Sequence, residues 1–231
     1  MFGSSMGLPQ TGYRTASDIN SAMGRVYGIM AMALVTSMVV SMLVASSTAL
    51  MAFLFTGFMK WIVIFSPLVA VFVISIALNA DPPKLISHLM LHGFAALMGL
   101  CFSSIFIVYN LGSIISAFMS AAVLFCVMSF YGYFTKKNLD NLGKWLFVGL
   151  ISIIIAAIIN LFIGSTVAEM VISTLAIVIF MGLTAWDTQR IREELSYSTT
   201  ASAEVRGALS LYMNYINIFL NLLNLFGSKN E

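Results

Sequence analysis

Apolar runs about twenty residues long follow one another down this chain, and that succession constrains the fold more than any other feature. An α-helix rises 1.5 Å per residue, so ~20 apolar residues cross the ~30 Å of hydrocarbon in a bilayer. On that scale spans fall near 27–47, 61–79, 88–109, 113–133, 145–163, 167–187 and 207–226. The gaps are short and carry turn chemistry: Asn79-Ala80-Asp81-Pro82-Pro83 after the second run, Asn110-Leu111-Gly112 after the third, and Asn138 to Gly143 after the fourth. Proline lacks an amide proton and restrains the residue before it, so a helix stops at Asn79. Pro67 lies inside the second run and is expected to kink it. In lipid every backbone N–H and C=O needs a partner, which a helix supplies from within its own segment. The expectation is an all-α membrane protein, a bundle that crosses six or seven times, with seven crossings if the last and most polar run spans fully.

Composition points to the same solvent. Of 231 residues, 60% are hydrophobic and 9% charged, against about 25% charged in an ordinary soluble domain. The net charge of +2 is spread thinly, with no basic run longer than Lys136-Lys137, so no nucleic-acid partner is expected and the lipid bilayer is. Residues 1–26 are expected to form a polar N-terminal tail, 27–227 a single seven-helix membrane domain, and 228–231 a short C-terminal tail. Orientation follows from the basic residues. Arg14, Arg25, Lys84, Lys136, Lys137, Lys144, Arg190, Arg192 and Arg206 fall on one side, with Lys60 and Lys229 on the other. Cytosolic loops carry the excess of Lys and Arg, so the N-terminus is expected inside.

Polar groups within a bilayer are costly, and function is to be sought at them. Asp187 closes the sixth apolar run. It reads either as an interfacial carboxylate paired with Arg190 one turn on, or as a buried titratable group or cation ligand near a helix C-terminus. In the final segment Ser210, Asn214, Asn217, Asn221, Asn224 and Ser228 recur at spacings of four, three, four, three and four, one face of a helix. That stripe reads as interhelical hydrogen bonding or as the lining of a wet, ion-accessible interior. Either way the helix is expected to be surrounded by protein rather than lipid. His88 and His92 share a face, but a metal site needs further ligands, and no confident metal site follows. Enzyme motifs are missing: there is no H-E-x-x-H, G-x-S-x-G or P-loop, and no second membrane aspartate beside Asp187. An enzyme is not expected, nor a cofactor.

Three stretches resemble the Bax inhibitor family, the transmembrane Bax-inhibitor-motif proteins. They are Phe130-Tyr131-Gly132-Tyr133-Phe134-Thr135-Lys136-Lys137-Asn138-Leu139 with Leu142-Gly143, then Leu183-Thr184-Ala185-Trp186-Asp187-Thr188-Gln189-Arg190-Ile191, and Gly207 through Leu220. The resemblance implies a seven-helix bundle with a central C-terminal helix wrapped by the other six. It also implies a passive, pH-modulated calcium leak, with calcium as the transported ion, Asp187 as its candidate ligand, and Asp187 with Asn214 as the ion-pathway and pH-sensing pair. Bacterial relatives act in the inner membrane, and some modulate a membrane-bound AAA protease. That makes a non-conducting regulatory protein the alternative. One departure stands out. The family's third stretch commonly reads Leu-Tyr-x-Asp-Phe-Ile-Asn, whereas here Asn214 holds the aspartate position. An Asp–Asn pair lacks the charge repulsion by which two carboxylates share a proton, and it offers calcium an amide oxygen in place of an anionic one.

Overall fold

The computed structural model describes residues 14–228, and among them the chain forms nine α-helices and no strand. These are α1 (Ala16–Ala45), α2 (Thr48–Phe55), α3 (Met59–Asn79), α4 (Lys84–Phe102), α5 (Ile105–Val108), α6 (Leu111–Phe134), α7 (Asp140–Ile163), α8 (Thr166–Tyr197) and α9 (Ala201–Phe226). Seven are long and apolar enough to cross a membrane when α4 and α5 count as one span. Residues 1–13, which make up half of the expected N-terminal tail, and Lys229 lie outside the described residues.

Helix ends follow local chemistry. Thr15 and Asp18 form a capping box at the start of α1, and the side chains of Asn110, Ser165 and Thr200 cap α6, α8 and α9. Gly164 takes a left-handed conformation (φ 69°) where α7 ends, which suits a residue without a Cβ. α3 stops at Asn79 ahead of the Pro82-Pro83 pair, and runs unbroken through Pro67.

Three helices overrun their apolar stretches at the end that carries most of the basic residues. α1 begins at Ala16 rather than near 27, α8 continues to Tyr197 rather than stopping near 187, and α9 begins at Ala201 rather than 207. The expected tail boundary at residue 26 is therefore corrected: residues 16–26 are helix. In these extensions the backbone bonds are still made, and ion pairs join the packing of buried apolar residues such as Met23, Leu195 and Val205. Arg25 pairs with Glu204 at 2.6 Å, and Arg206 with Glu194 at 2.7 Å.

The last helix is the centre of the bundle. α9 packs against α8, α6, α1, α4 and α3, and its apolar face buries Leu211, Tyr212, Tyr215, Ile216, Ile218 and Phe219. The expected wrapping by all six other spans needs one correction: α7 packs chiefly on α8. The outer helices turn Phe65, Phe72, Ile76, Ile151, Ile155 and Ile158 outward, as lipid contact requires. Lipid tails are as apolar as these side chains, so close packing rather than water release holds such helices together. Small residues permit it. A Cβ at Gly99 would lie 2.7 Å from the Ser37 carbonyl oxygen where α4 crosses α1. One at Gly132 would overlap the backbone of Ala185, where α6 crosses α8.

Candidate functional site

The Gly132 crossing seats the central part of α8, and the loop after α6 holds it from the side. Gln189 spans that loop, accepting from the Leu139 amide at 2.8 Å and donating to the Lys137 carbonyl at 2.9 Å. Arg192 donates to the Tyr133 carbonyl at 2.9 Å and lies over its ring. Ser129 hydrogen-bonds Thr188 at 3.1 Å. Trp186 lies against Gly143, where any Cβ would meet the indole at 2.5 Å, and donates its ring N–H to Asp140 at 3.3 Å. The first of the three motif stretches thus builds the socket for the second.

In that socket Trp186 supports Arg190, whose guanidinium carbon is 4.7 Å from the ring centroid. Arg190 in turn reaches Oδ1 of Asp187 at 2.8 Å. The other carboxylate oxygen, Oδ2, accepts from the Ser210 hydroxyl at 2.7 Å and the Asn214 amide at 2.7 Å. Asp187 is 4% exposed and Asn214 5%. A buried carboxylate needs donors and a countercharge, and here its own helix supplies the cation while α9 supplies two donors. One expectation changes. Because α8 runs on to Tyr197, Asp187 lies well inside the helix, and the negative end of a helix dipole does not act on it.

The polar stripe of α9 divides. Ser210 and Asn214 bind Asp187, Asn224 bonds the Ser173 hydroxyl at 2.9 Å, and Asn217 and Asn221 donate to carbonyls of their own helix, Met213 and Asn217, each at 2.8 Å. Ser210, Asn217, Asn221 and Asn224 are partly exposed although the helix is central. Ser210, Asn217 and Asn221 face a cleft of about 740 Å³ between α3, α7, α8 and α9. Asp187, Arg190 and Arg206 line its basic end, and Leu68, Val71, Phe147 and Ile154 its apolar walls. His92 bonds Thr36 through Nδ1 at 2.9 Å, between α1 and α4.

One participant is not evident from the sequence. Arg206 joins the α3 C-terminus to the site, donating to the Leu78 carbonyl at 2.8 Å, to Glu194 at 2.7 Å and to Asp81 at 3.2 Å. Its signal is plain once the start of α9 is known: Arg206 precedes Ser210 by one turn on the same stripe. The hydroxyl of Ser202 and then the guanidinium of Arg206 hold the Asp81 carboxyl below the usual carboxylate range.

Seven spanning helices, the last of them central and polar-striped, with a buried carboxylate facing an open cleft, define an α-helical integral membrane protein with a partly polar cleft among its helices. The chain belongs to the family described as inhibitors of apoptosis-promoting Bax1, which matches residues 19–231. It is 35% identical to inner membrane protein YbhL of Escherichia coli K12, over 92% of this chain and 94% of that one. It is also 32% identical to an uncharacterized protein of Deinococcus radiodurans, over 96% of each chain.

Proposed function

We propose that this chain is a passive, pH-modulated cation leak protein, with calcium as the transported ion, set in a bacterial inner membrane with its N-terminus cytosolic. One arrangement carries the reading: a buried carboxylate at the basic end of a cleft whose central wall bears a continuous stripe of amides. Water and a cation can occupy such a cleft, because amide oxygens replace part of a hydration shell. Asp187 is the group that selects charge, and the ion pair with Arg190 holds it at rest. A proton on Asp187 and a cation at Asp187 both compete with Arg190, and this is how pH would enter. The Escherichia coli relative is named an inner membrane protein, which supports the membrane assignment, and the nine basic residues on one side support the orientation.

The second reading is a non-conducting protein that binds and modulates another membrane protein, such as a membrane-bound AAA protease. Its support is that both oxygens of Asp187 are occupied by donors and that Asn214 stands where relatives commonly carry a second carboxylate. In that reading the Asp187 cluster is a lock between α8 and α9. Purified protein in liposomes loaded with a calcium dye separates the two. A calcium flux above that of empty liposomes, lost in Asp187→Asn, is expected for the leak; flux equal to empty liposomes overturns it.

A further inference from the structure

The hydrogen bonds of the α9 stripe fix which way its amides face. The NH2 groups of Asn217 and Asn221 meet backbone carbonyl oxygens, and that of Asn214 meets a carboxylate oxygen. Each of these partners only accepts, so rotating any of the three amides would set oxygen against oxygen. Their own carbonyl oxygens therefore point away from these partners, and among the described residues they accept no hydrogen bond. None is sealed from open space. The result is a row of unpaired acceptor oxygens on α9, leading along the cleft wall away from Asp187.

The row leads somewhere. Asn221 lines both the large cleft and a second cavity of about 450 Å³ towards the other end of the bundle, and Ile172 is also shared between them. The second cavity is lined further by Ser173, Asn224 and Glu169. Glu169 is exposed, in the first turn of α8, and among the described residues its carboxylate enters no hydrogen bond or ion pair. From Asn214 to Asn221 the row covers about 10 Å of helix axis, roughly a third of the hydrocarbon thickness.

We propose that this second cavity is a cation-binding site, with the Glu169 carboxylate and the side-chain oxygen of Asn221 as ligands and Asn224 and Ser173 completing the polar wall. It rests on the leak reading for its role, as the outer mouth of the path that ends at Asp187. Its chemistry suits a hard, partly hydrated cation such as calcium: one anionic oxygen, neutral oxygens, and room for water. A single carboxylate attracts the ion, and a row of neutral oxygens lets it move on, which conduction needs.

The site is tested apart from transport, by terbium(III) titration of full-length protein in detergent, read by luminescence on excitation of the protein's aromatic residues. The Glu169 carboxylate makes no contact that an amide would break, so Glu169→Gln is expected to keep the melting temperature of the wild type. It should weaken terbium binding about tenfold or more, because one anionic ligand is lost. Asn221→Leu should weaken it as well, and calcium should compete for the site. In liposomes, Glu169→Gln should raise the calcium concentration needed for half-maximal flux. Equal terbium titrations for wild type and Glu169→Gln overturn the site, as does no binding by the wild type. Terbium binding that depends on Glu169, with no calcium flux from the wild type, leaves the site standing and overturns the leak.

Discussion

Asn214 donates its side-chain amide to Oδ2 of Asp187 at 2.7 Å, tying the central helix to α8 at a point where both residues are buried. Because the amide is a donor there, the pair has no like-charge repulsion. A second carboxylate at position 214 would lie within hydrogen-bond distance of the first and could keep that contact only by sharing a proton with it. Asn214→Asp is therefore expected to steepen the pH response of calcium flux between about pH 6 and 8. Asp187→Asn in the same background should abolish the gain, since the repulsion needs both partners. Flux against pH in liposomes for the three proteins is the measurement. A wild type already as steep as Asn214→Asp would move the sensor elsewhere, with His88 and His92 next in line.

The socket around α8 makes a prediction about stability. Gly132→Ala places a methyl group into the backbone of Ala185, which is no flexible side chain and cannot swing away. The two helices must separate, carrying Trp186 and Asp187 with them. Overpacking of this kind costs about 1–3 kcal/mol. Thermal unfolding in detergent should show a clearly lowered midpoint for Gly132→Ala. By contrast, Gly28→Ala should be near neutral, since a Cβ at that position would meet nothing within 4 Å. Equal midpoints for the two variants would mean that the α6–α8 crossing is looser than described.

The spans are legible in the sequence because lipid demands long apolar runs, and the runs from 27–47 to 207–226 match the helices observed to within a few residues at most of their ends. The overhangs are harder to read, since outside the apolar run the remaining signal is capping chemistry. Thr15 three residues before Asp18, and Thr200 at the start of α9, carry that signal. The Asp187–Arg190 contact can be read from helical spacing. The meeting of Asp187 with Asn214 cannot, because it depends on how α8 lies against α9; only the resemblance to a family suggests it. The direction of the amides is invisible to spacing altogether. Periodicity places Asn217 and Asn221 on one face, yet whether they bind neighbours or their own backbone is settled by what the facing helices offer.

That distinction changes what leucine should do along the stripe. Asn217 and Asn221 bond carbonyls of their own helix, so Asn217→Leu and Asn221→Leu strand no partner on another helix and should cost about 0.5 kcal/mol or less. Asn214→Leu removes a donor from a buried carboxylate and should cost about 2 kcal/mol. Leu220→Val, with one methylene fewer, should stay near 1 kcal/mol or below. Thermal unfolding ranks the four, and an Asn217→Leu variant as unstable as Asn214→Leu would mean that Asn217 holds another helix.

Orientation is open to a direct measurement. Gln189 ties α8 to the loop after α6, so Lys136 and Arg192 lie at the same end of the bundle. Reporter fusions after each should read cytosolic, because basic residues concentrate at that end. An external reading at either position would reverse the assignment.

The last prediction concerns acid. Asp81, in the turn between α3 and α4, accepts from Ser202, Thr200 and Arg206, and so links that turn to the start of α9. Its carboxyl is held below the usual range, chiefly by the Ser202 hydroxyl and then by Arg206. A group whose folded value is lowered stabilises the fold fully above its unfolded value, about pH 4, and loses that contribution as pH falls through the folded value. Asp81→Asn is the suitable variant, since position 81 has a positive φ of 49° and asparagine tolerates that conformation better than other side chains. The variant should melt at a lower temperature than wild type at pH 5–7, by a margin that stays constant across that interval. Below about pH 4 the margin should shrink as the wild-type carboxyl takes up its proton. Melting curves in detergent from pH 3 to 7 give the comparison. A margin that widens towards low pH would show that Asp81 does not gain from its charge in the folded protein, and the link between the α3–α4 turn and α9 would then rest on Arg206 with Glu194 and the Leu78 carbonyl.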